Sequence, residues 1–447
     1  MQIGIVGAGL TGLSAAYELG KRGHQVTVYE SEPIAGGLSS GFRVNRWEWS
    51  LDRFYRHVFA GDDEIVALAT ELRAPLVFDR PKTSVWVNGR PYVYDNPLGV
   101  ARYPNLPLPV NLRIGLVVAY LKYLVRDGTR LEGATAHQWM RQAMGKRGYA
   151  EIWEPMLRGK FKDDYDKVNM AWFWARLSAR TPRLGYFTGG FQAFIDRLVE
   201  AIRSNGGQVH LGAEVSQIAR VEDRVAIMMS RGTCVTYHRV LTTTSPGKLG
   251  EMVVGLPPAC KEDLSMLRST AAVTLILALR HSILTDGTYW LNLPRARRSG
   301  GASGRGGASG RGGEFPCLSM VEHTNYQDKA HYGGEVIVYL GDYLPVDAPQ
   351  MHMTTEELYT AYRPALVKVR PDYRDRWVRE MWSFREPYAQ PVPEINHSER
   401  VPAAEMPIVP NLYWASMHHV YPWDRGTNYA VELGQRVARA IHASANT

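Results

Sequence analysis

The seven residues Val6-Gly7-Ala8-Gly9-Leu10-Thr11-Gly12 constrain this chain more than any other stretch of it. An apolar run from Ile3 to Val6, broken only by Gly4, reads as a buried strand. Leu13, Ala16, Tyr17 and Leu19 then follow at roughly helical spacing. Strand, glycine loop and helix in that order make a phosphate-binding turn. Gly7 serves the tight turn, Gly9 lets the backbone approach a pyrophosphate, and Gly12 lets the helix lie close on the strand. The first helical amides lack intrahelical partners, and with the helix dipole they favour negative charge at the loop. A second strand, Gln25 to Tyr29, ends on Glu30, eighteen positions after Gly12. A carboxylate there accepts hydrogen bonds from the ribose hydroxyls and repels a 2′-phosphate, which disfavours NADP.

The residues after Glu30 separate the remaining dinucleotides. Ser31 leads through SEPIAGGLSS to Gly36, Gly37 and Leu38. From Ile3 to Ser40 the chain resembles the FAD-binding motif of the amine oxidase, protoporphyrinogen oxidase and phytoene desaturase superfamily. The Gly-Gly pair is an extension that ordinary NAD dehydrogenases do not need, so the resemblance implies FAD. It also implies an α/β fold: a Rossmann-like FAD-binding domain interleaved with an α+β substrate domain that carries an antiparallel sheet. The FAD-binding part is expected over 1–60, 185–265 and 400–447, and the substrate part over 61–184 and 266–399. In the resembling family the residue like Val215 meets the adenine through its backbone.

Several elements are legible between the ends. PKTSVWVNGRPYVYDNP reads as a hairpin turning at Asn88-Gly89. Phe191 to Ser204 reads as a helix opened by Gly189-Gly190 and stopped by Gly206-Gly207, with a strand from Gln208 to Leu211. Strands are expected over Arg224–Met229 and Thr233–Val240, then in AAVTLILALR, TYWLNL and EVIVYLGDY. Helices are expected over Glu356–Val369, where Pro364 should kink or divide the turn, and over Ala430–His442.

The C-terminal block LYWASMHHVYPWDRGTNYAVELGQRVARAIH, from Leu412 to His442, carries the second resemblance, to bacterial protoporphyrinogen-oxidase-like proteins. In that superfamily a strand, loop and helix return to the flavin, and the helix N-terminus faces the pyrimidine end of its ring. Asp424, Gly426, Thr427, Asn428 and Tyr429 are the residues this places there. Superfamily members commonly have an acid directly after the strand. Ser416-Met417 stands at that point here, and either Asp424 or a water is expected to take over its role. No cysteine lies near the block, so FAD is expected to be held without a covalent link.

Charge and cysteines bound the rest. The net charge of +8 invites nucleic acid as a partner, but five arginines sit in one low-complexity stretch, RARRSGGASGRGGASGRGGEF. This Gly/Arg-rich insert, 295–314, reads as a flexible surface excursion between two strands, and nucleic acid is not an expected partner. Cys234, Cys260 and Cys317 are too scattered for a disulfide framework, and no metal site is expected from them or from His418-His419. Met1 begins almost on the first strand, so a cytoplasmic protein without a leader is expected. IGLVVAYLKYLV, from Ile114 to Val125, is too short to span a bilayer; a packed helix is the first expectation and a peripheral membrane contact the second. The sequence carries no signal for an oligomeric state.

Candidate chemistry lies in WEWSLDRFYRHVF. Asp52, Tyr55, Arg56 and His57 loosely match the segment that passes the flavin in related proteins, with Asp52 and His57 as candidate catalytic residues. A histidine there moves a proton near neutral pH if its pKa is ordinary. The expected partner is a small organic molecule, oxidised at a C–N or C–C bond by hydride transfer to flavin N5. The alternative is an isomerase like UDP-galactopyranose mutase, which uses reduced flavin without net redox. Its diphosphate site would draw on Arg158, Arg176, Arg180 and Arg385.

Overall fold

The computed structural model describes residues 1–94, 99, 101–294 and 315–444. The Gly/Arg-rich insert therefore lies outside the described residues. Five parallel strands form the first sheet, in the spatial order Gln208–His210, Gln25–Tyr29, Gln2–Val6, Arg239–Thr242 and Leu412–Trp414. The first strand of the sequence is thus central, and pieces from both ends of the chain flank it. Alternation along that strand sets the layers. Ile3 and Ile5 face a core made with the helices Leu10–Lys21, Phe191–Ser204 and Thr427–Ala443. Val6 faces the other way, against a three-stranded antiparallel meander of Val215–Val221, Arg224–Met229 and Cys234–Tyr237.

The meander corrects one sequence expectation. Thr233–Val240 is not one strand: Cys234–Tyr237 closes the meander, and Arg239–Thr242 joins the parallel sheet beside Gln2–Val6. The chain changes sheets at His238, inside a run whose β preference is continuous.

The second sheet has seven strands, ordered Val378–Pro391, Ser269–Leu279, Val336–Leu344, Ser319–Glu322, Thr288–Asn292, Lys82–Val87 and Arg90–Val93. It is antiparallel as expected except at one seam, where Thr288–Asn292 and Lys82–Val87 run parallel. The Lys82–Arg90 hairpin turns at Asn88-Gly89, both with positive φ (50° and 83°), the geometry that favours Asn-Gly. Thr288–Asn292 and Ser319–Glu322 are antiparallel neighbours, so the insert falls between two paired strands. The helices Leu108–Ala119, Ala136–Met144, Glu154–Phe161 and Met170–Ser178 form a separate helical core next to this sheet. Pro364 does not divide its helix, which runs from Thr355 to Val369 behind a complete Thr354/Glu357 capping box. No helix among the described residues is long and apolar enough to cross a membrane.

The two chain ends meet where Leu10–Lys21 packs on Thr427–Ala443. A Cβ on Gly434 would lie 2.4 Å from the Thr11 carbonyl oxygen and 3.0 Å from Ser14 Cβ, so only glycine permits this approach. In an open helix, Gly→Ala gains about 1 kcal/mol from propensity. Here the sign reverses: Gly434→Ala should lower the urea midpoint, by about 1–3 kcal/mol of stability, because backbone rather than a movable side chain blocks the methyl.

Candidate functional site

A chamber of about 1830 Å³ runs between the parallel sheet, the seven-stranded sheet and the helical core. That exceeds the roughly 300–1,000 Å³ of an ordinary ligand pocket and leaves room for a dinucleotide and a second molecule. At one end the wall is the glycine loop. Gly7, Gly9, Leu10 and Thr11 line it, and a Cβ on Gly9 would meet no atom within 4 Å. Gly12 lies behind the wall, where a Cβ would fall 2.0 Å from the Gly7 carbonyl oxygen. This is the close helix–strand contact that the spacing predicts.

The Glu30 carboxylate and the Gly-Gly loop are fixed to that turn. Glu30 accepts from the Ala8 amide at 2.8 Å, from the Glu32 amide at 3.0 Å and from the Ser31 hydroxyl at 3.2 Å. The Gly36 amide donates to the Ala8 carbonyl at 2.8 Å. Gly36 has φ 124°, and a Cβ there would meet Ile195 at 2.7 Å, which accounts for the glycine. Glu30, Ser31, Gly36, Gly37, Leu38 and Val215 all line the chamber. Arg56, which also lines the chamber, secures the loop by donating to the Ser39 hydroxyl at 2.5 Å and to the Leu38 carbonyl. The sequence pattern offered Arg56 only as a loose match to the flavin-facing segment.

Two helices enter the chamber by their N-termini. Leu10–Lys21 begins behind Gly9 and Thr427–Ala443 behind Gly426. Neither has a side-chain cap or an acid in its first turn. Their leading amides and positive dipole ends are therefore left for a ligand or water. Gly426, Thr427 and Tyr429 line the chamber, with Tyr429 stacked on Trp423 at 5.3 Å. Asn428 does not reach it: its side-chain oxygen accepts from the Ile65 amide at 3.0 Å and tethers a neighbouring helix.

Asp424 lines the chamber, but its carboxylate is not free to replace the missing acid at Ser416-Met417. It accepts from Lys160 at 2.8 Å, from Arg176 at 2.5 Å and from the Trp172 indole at 3.1 Å. Burial alone would raise this carboxyl; Lys160 and Arg176 outweigh it and hold Asp424 well below the usual carboxylate range. Lys160 was not among the residues singled out in the sequence. Its signal is its place at i+3 from buried Leu157 and beside Phe161, a cation on the inward stripe of a helix.

Of the arginines considered for a diphosphate, Arg176 and Arg180 line the chamber. Arg158 instead bonds Glu154 and Tyr165, and Arg385 bonds Gln350, Met353 and Ser383. The Arg180 guanidinium has no hydrogen bond or ion pair among the described residues and lies 5.9 Å from the centroid of the Phe59 ring. Burial, with repulsion from Arg176, pulls its pKa down to about 9, so it is charged at neutral pH.

The two candidate catalytic residues part company. His57 lines the chamber against Phe59, but burial and then Arg180 push its pKa down to about 3. Its imidazole is neutral at physiological pH, which corrects the expectation of a histidine poised near neutrality. Asp52 lies behind the wall, 1% exposed, accepting from the Tyr186 hydroxyl at 2.8 Å. Tyr55, above it on the chamber floor, rests on Gly341, where any Cβ would come within 2.4 Å of the phenol oxygen. Glu386 and Tyr388 from the FREPYAQPVP stretch also line the chamber, while His323 of VEHTN is buried against Tyr332.

The glycine loop, the Glu30 carboxylate and a second uncapped helix N-terminus meet on one chamber, the arrangement of a dinucleotide-binding fold. The chain belongs to the family of flavin containing amine oxidoreductases, whose pattern matches residues 10–442. It is similar to a 15-cis-phytoene desaturase of Synechococcus elongatus, 24% identical over 259 residues, which is 50% of this chain and 52% of the desaturase. The chain thus spans about half the length of that relative. Among solved structures it is similar to a protein of Exiguobacterium sp. 255-15 provisionally assigned as a protoporphyrinogen oxidase, with TM-score 0.75, 15% identity and 99% of each chain covered. Reduced UDP-galactopyranose mutase gives TM-score 0.75 at 16% identity, covering 99% of this chain and 95% of the other. At these identities the structural likeness speaks for the fold.

Asp52 carries a measurable signature. Burial lifts its pKa from 3.8 to about 7, with Arg56 offsetting only part of the rise. Between those values the unfolded chain has lost the proton and the folded chain keeps it. Stability therefore falls as pH rises from about 4 to 7, by up to about 4 kcal/mol. Asp52→Asn removes this titration. Its thermal midpoint relative to the parent should climb steadily across that window; a difference independent of pH would contradict the assignment.

Proposed function

We propose that the protein holds FAD without a covalent link and oxidises a C–N or C–C bond of an organic substrate inside the chamber. The observation that carries this reading is the convergence of two uncapped helix N-termini on one chamber, one of them beside the ribose carboxylate Glu30. The fit is chemical as well as spatial. The glycine loop suits a pyrophosphate, Glu30 the ribose hydroxyls, the Val215 backbone the adenine, and the Thr427 end the pyrimidine edge of the flavin. None of the three cysteines is among the chamber's described lining residues, in keeping with non-covalent binding.

Bound there, FAD would supply the two-electron acceptor for oxidation of the substrate. The chain's own residues do the rest. The Thr427 helix end and the Lys160, Arg176 and Arg425 cluster set a positive potential that favours negative charge on the acceptor side. Neutral His57 is able to accept a hydrogen bond but does not carry a positive charge into the reaction. The aromatic wall, with Tyr55, Trp290 and Tyr388, excludes water from the reacting bond. The amine oxidoreductase family supports C–N chemistry, and the desaturase relative supports C–C chemistry.

The unpaired Arg180 next to Arg176 favours a second reading, an isomerase of the UDP-galactopyranose mutase kind, in which these cations take a diphosphate. Turnover separates the two. Incubated with panels of amines and of apolar polyenes, an oxidoreductase consumes oxygen or an acceptor dye in proportion to product formed. Conversion of a nucleotide sugar only by the prereduced protein, with no acceptor consumed, would establish the isomerase instead.

A further inference from the structure

We propose that the helix face between Leu108 and Leu124 docks on the surface of an anionic lipid bilayer. Fourteen large apolar side chains are exposed among the described residues, and six fall within these seventeen positions: Leu108 (59%), Leu112 (52%), Leu116 (72%), Tyr120 (48%), Tyr123 (74%) and Leu124 (72%). So dense a patch departs from the scattered exposure of ordinary surfaces.

The spacing makes it one face. Five of the six recur every fourth residue. Each such step overshoots a 3.6-residue turn by about 40°, so the ridge would drift around a plain α-helix. The helix ends at Ala119 and continues as a wider i→i+5 turn over Tyr120–Leu124, which sets the drift back. The opposite side is already used: Ile114 and Leu121 are fully buried in the helical core. The exposed ridge is therefore a second apolar face on an anchored helix.

Charge selects the occupant. No acidic residue occurs from Arg102 to Arg126, and between 101 and 147 eight lysines and arginines stand against Asp127 and Glu132 alone. Arg102, Arg113, Arg126 and Arg130 are exposed around the ridge. Apolar side chains and tyrosines bordered by exposed basic residues, of which Arg130 lies 3.9 Å from Asp127, match the acyl boundary and headgroups of an anionic leaflet. A second copy of this chain would instead bring two equally basic faces together. The segment is too short to cross the membrane, so it lies on it.

The placement also concerns the chamber. Asn88, Gly89 and Arg147 are exposed and line it, and Arg147 donates to the carbonyl of Asn105, three residues before Leu108, at 3.3 Å. Docking sets this rim at the foot of the ridge, beside the lipid. The docking itself does not depend on the redox reading.

Flotation of the purified full chain with phosphatidylcholine vesicles, and with vesicles containing phosphatidylglycerol, tests the proposal. The protein should float with the anionic vesicles, less with the neutral ones, and lose binding as salt rises. Leu112→Ser/Leu116→Ser/Leu124→Ser should reduce the bound fraction about tenfold, and the exposed pair Arg126→Glu/Arg130→Glu should do so comparably, each with an unchanged thermal midpoint. Wild type remaining with the unbound protein, or both variants floating like wild type, would overturn it. So would a wild-type dimer that the leucine variant splits while neither form floats, which would assign the face to a second copy.

Discussion

The leading amides of an α-helix have no partners inside the helix, and a protein that turns two such ends inward must supply something to meet them. Here Leu10–Lys21 and Thr427–Ala443 both point uncapped N-termini at one chamber. Much of the architecture serves this arrangement. The central strand and its glycine loop aim the first helix. The last strand joins the same sheet and aims the second. Gly434 lets the two helices lie in contact through the Thr11 carbonyl. An anionic, elongated ligand with polar groups at both ends satisfies these demands together.

The substrate side follows a different logic. A single carboxylate, Asp424, is shared by Lys160 and Arg176, with Arg425 and unpaired Arg180 on the same chamber. Positive charge exceeds negative along this wall, while His57, the one histidine among its described lining residues, is held neutral by burial. Among the described residues this wall therefore favours an anionic or electron-rich group on a ligand. The Asp424 network also ties the C-terminal loop to two helices of the helical core, so the loop preceding the second helix end is fixed from outside the parallel sheet.

Local patterns were readable where local physics decides. The glycine loop, Glu30 and the Phe191–Ser204 helix stand where spacing and punctuation place them. The strand change at His238 was hidden, because both sides of it favour extended backbone and only the sheet partners differ. Lys160 sits on the inward stripe of its own helix, but nothing local to Asp424 announces that the two pair across 264 positions. The Leu108–Leu124 segment carries apolar residues on every side, so its periodicity does not say which face packs and which stays bare. His57 looked poised for proton transfer because sequence does not show burial, which decides its protonation.

The central claim is that the two helix ends and the glycine loop form one FAD site. Purified protein should show the visible absorption of oxidised flavin, and denaturation should release that chromophore into the supernatant as FAD. A colourless protein that takes up no added FAD, or one that releases NAD instead, would contradict it.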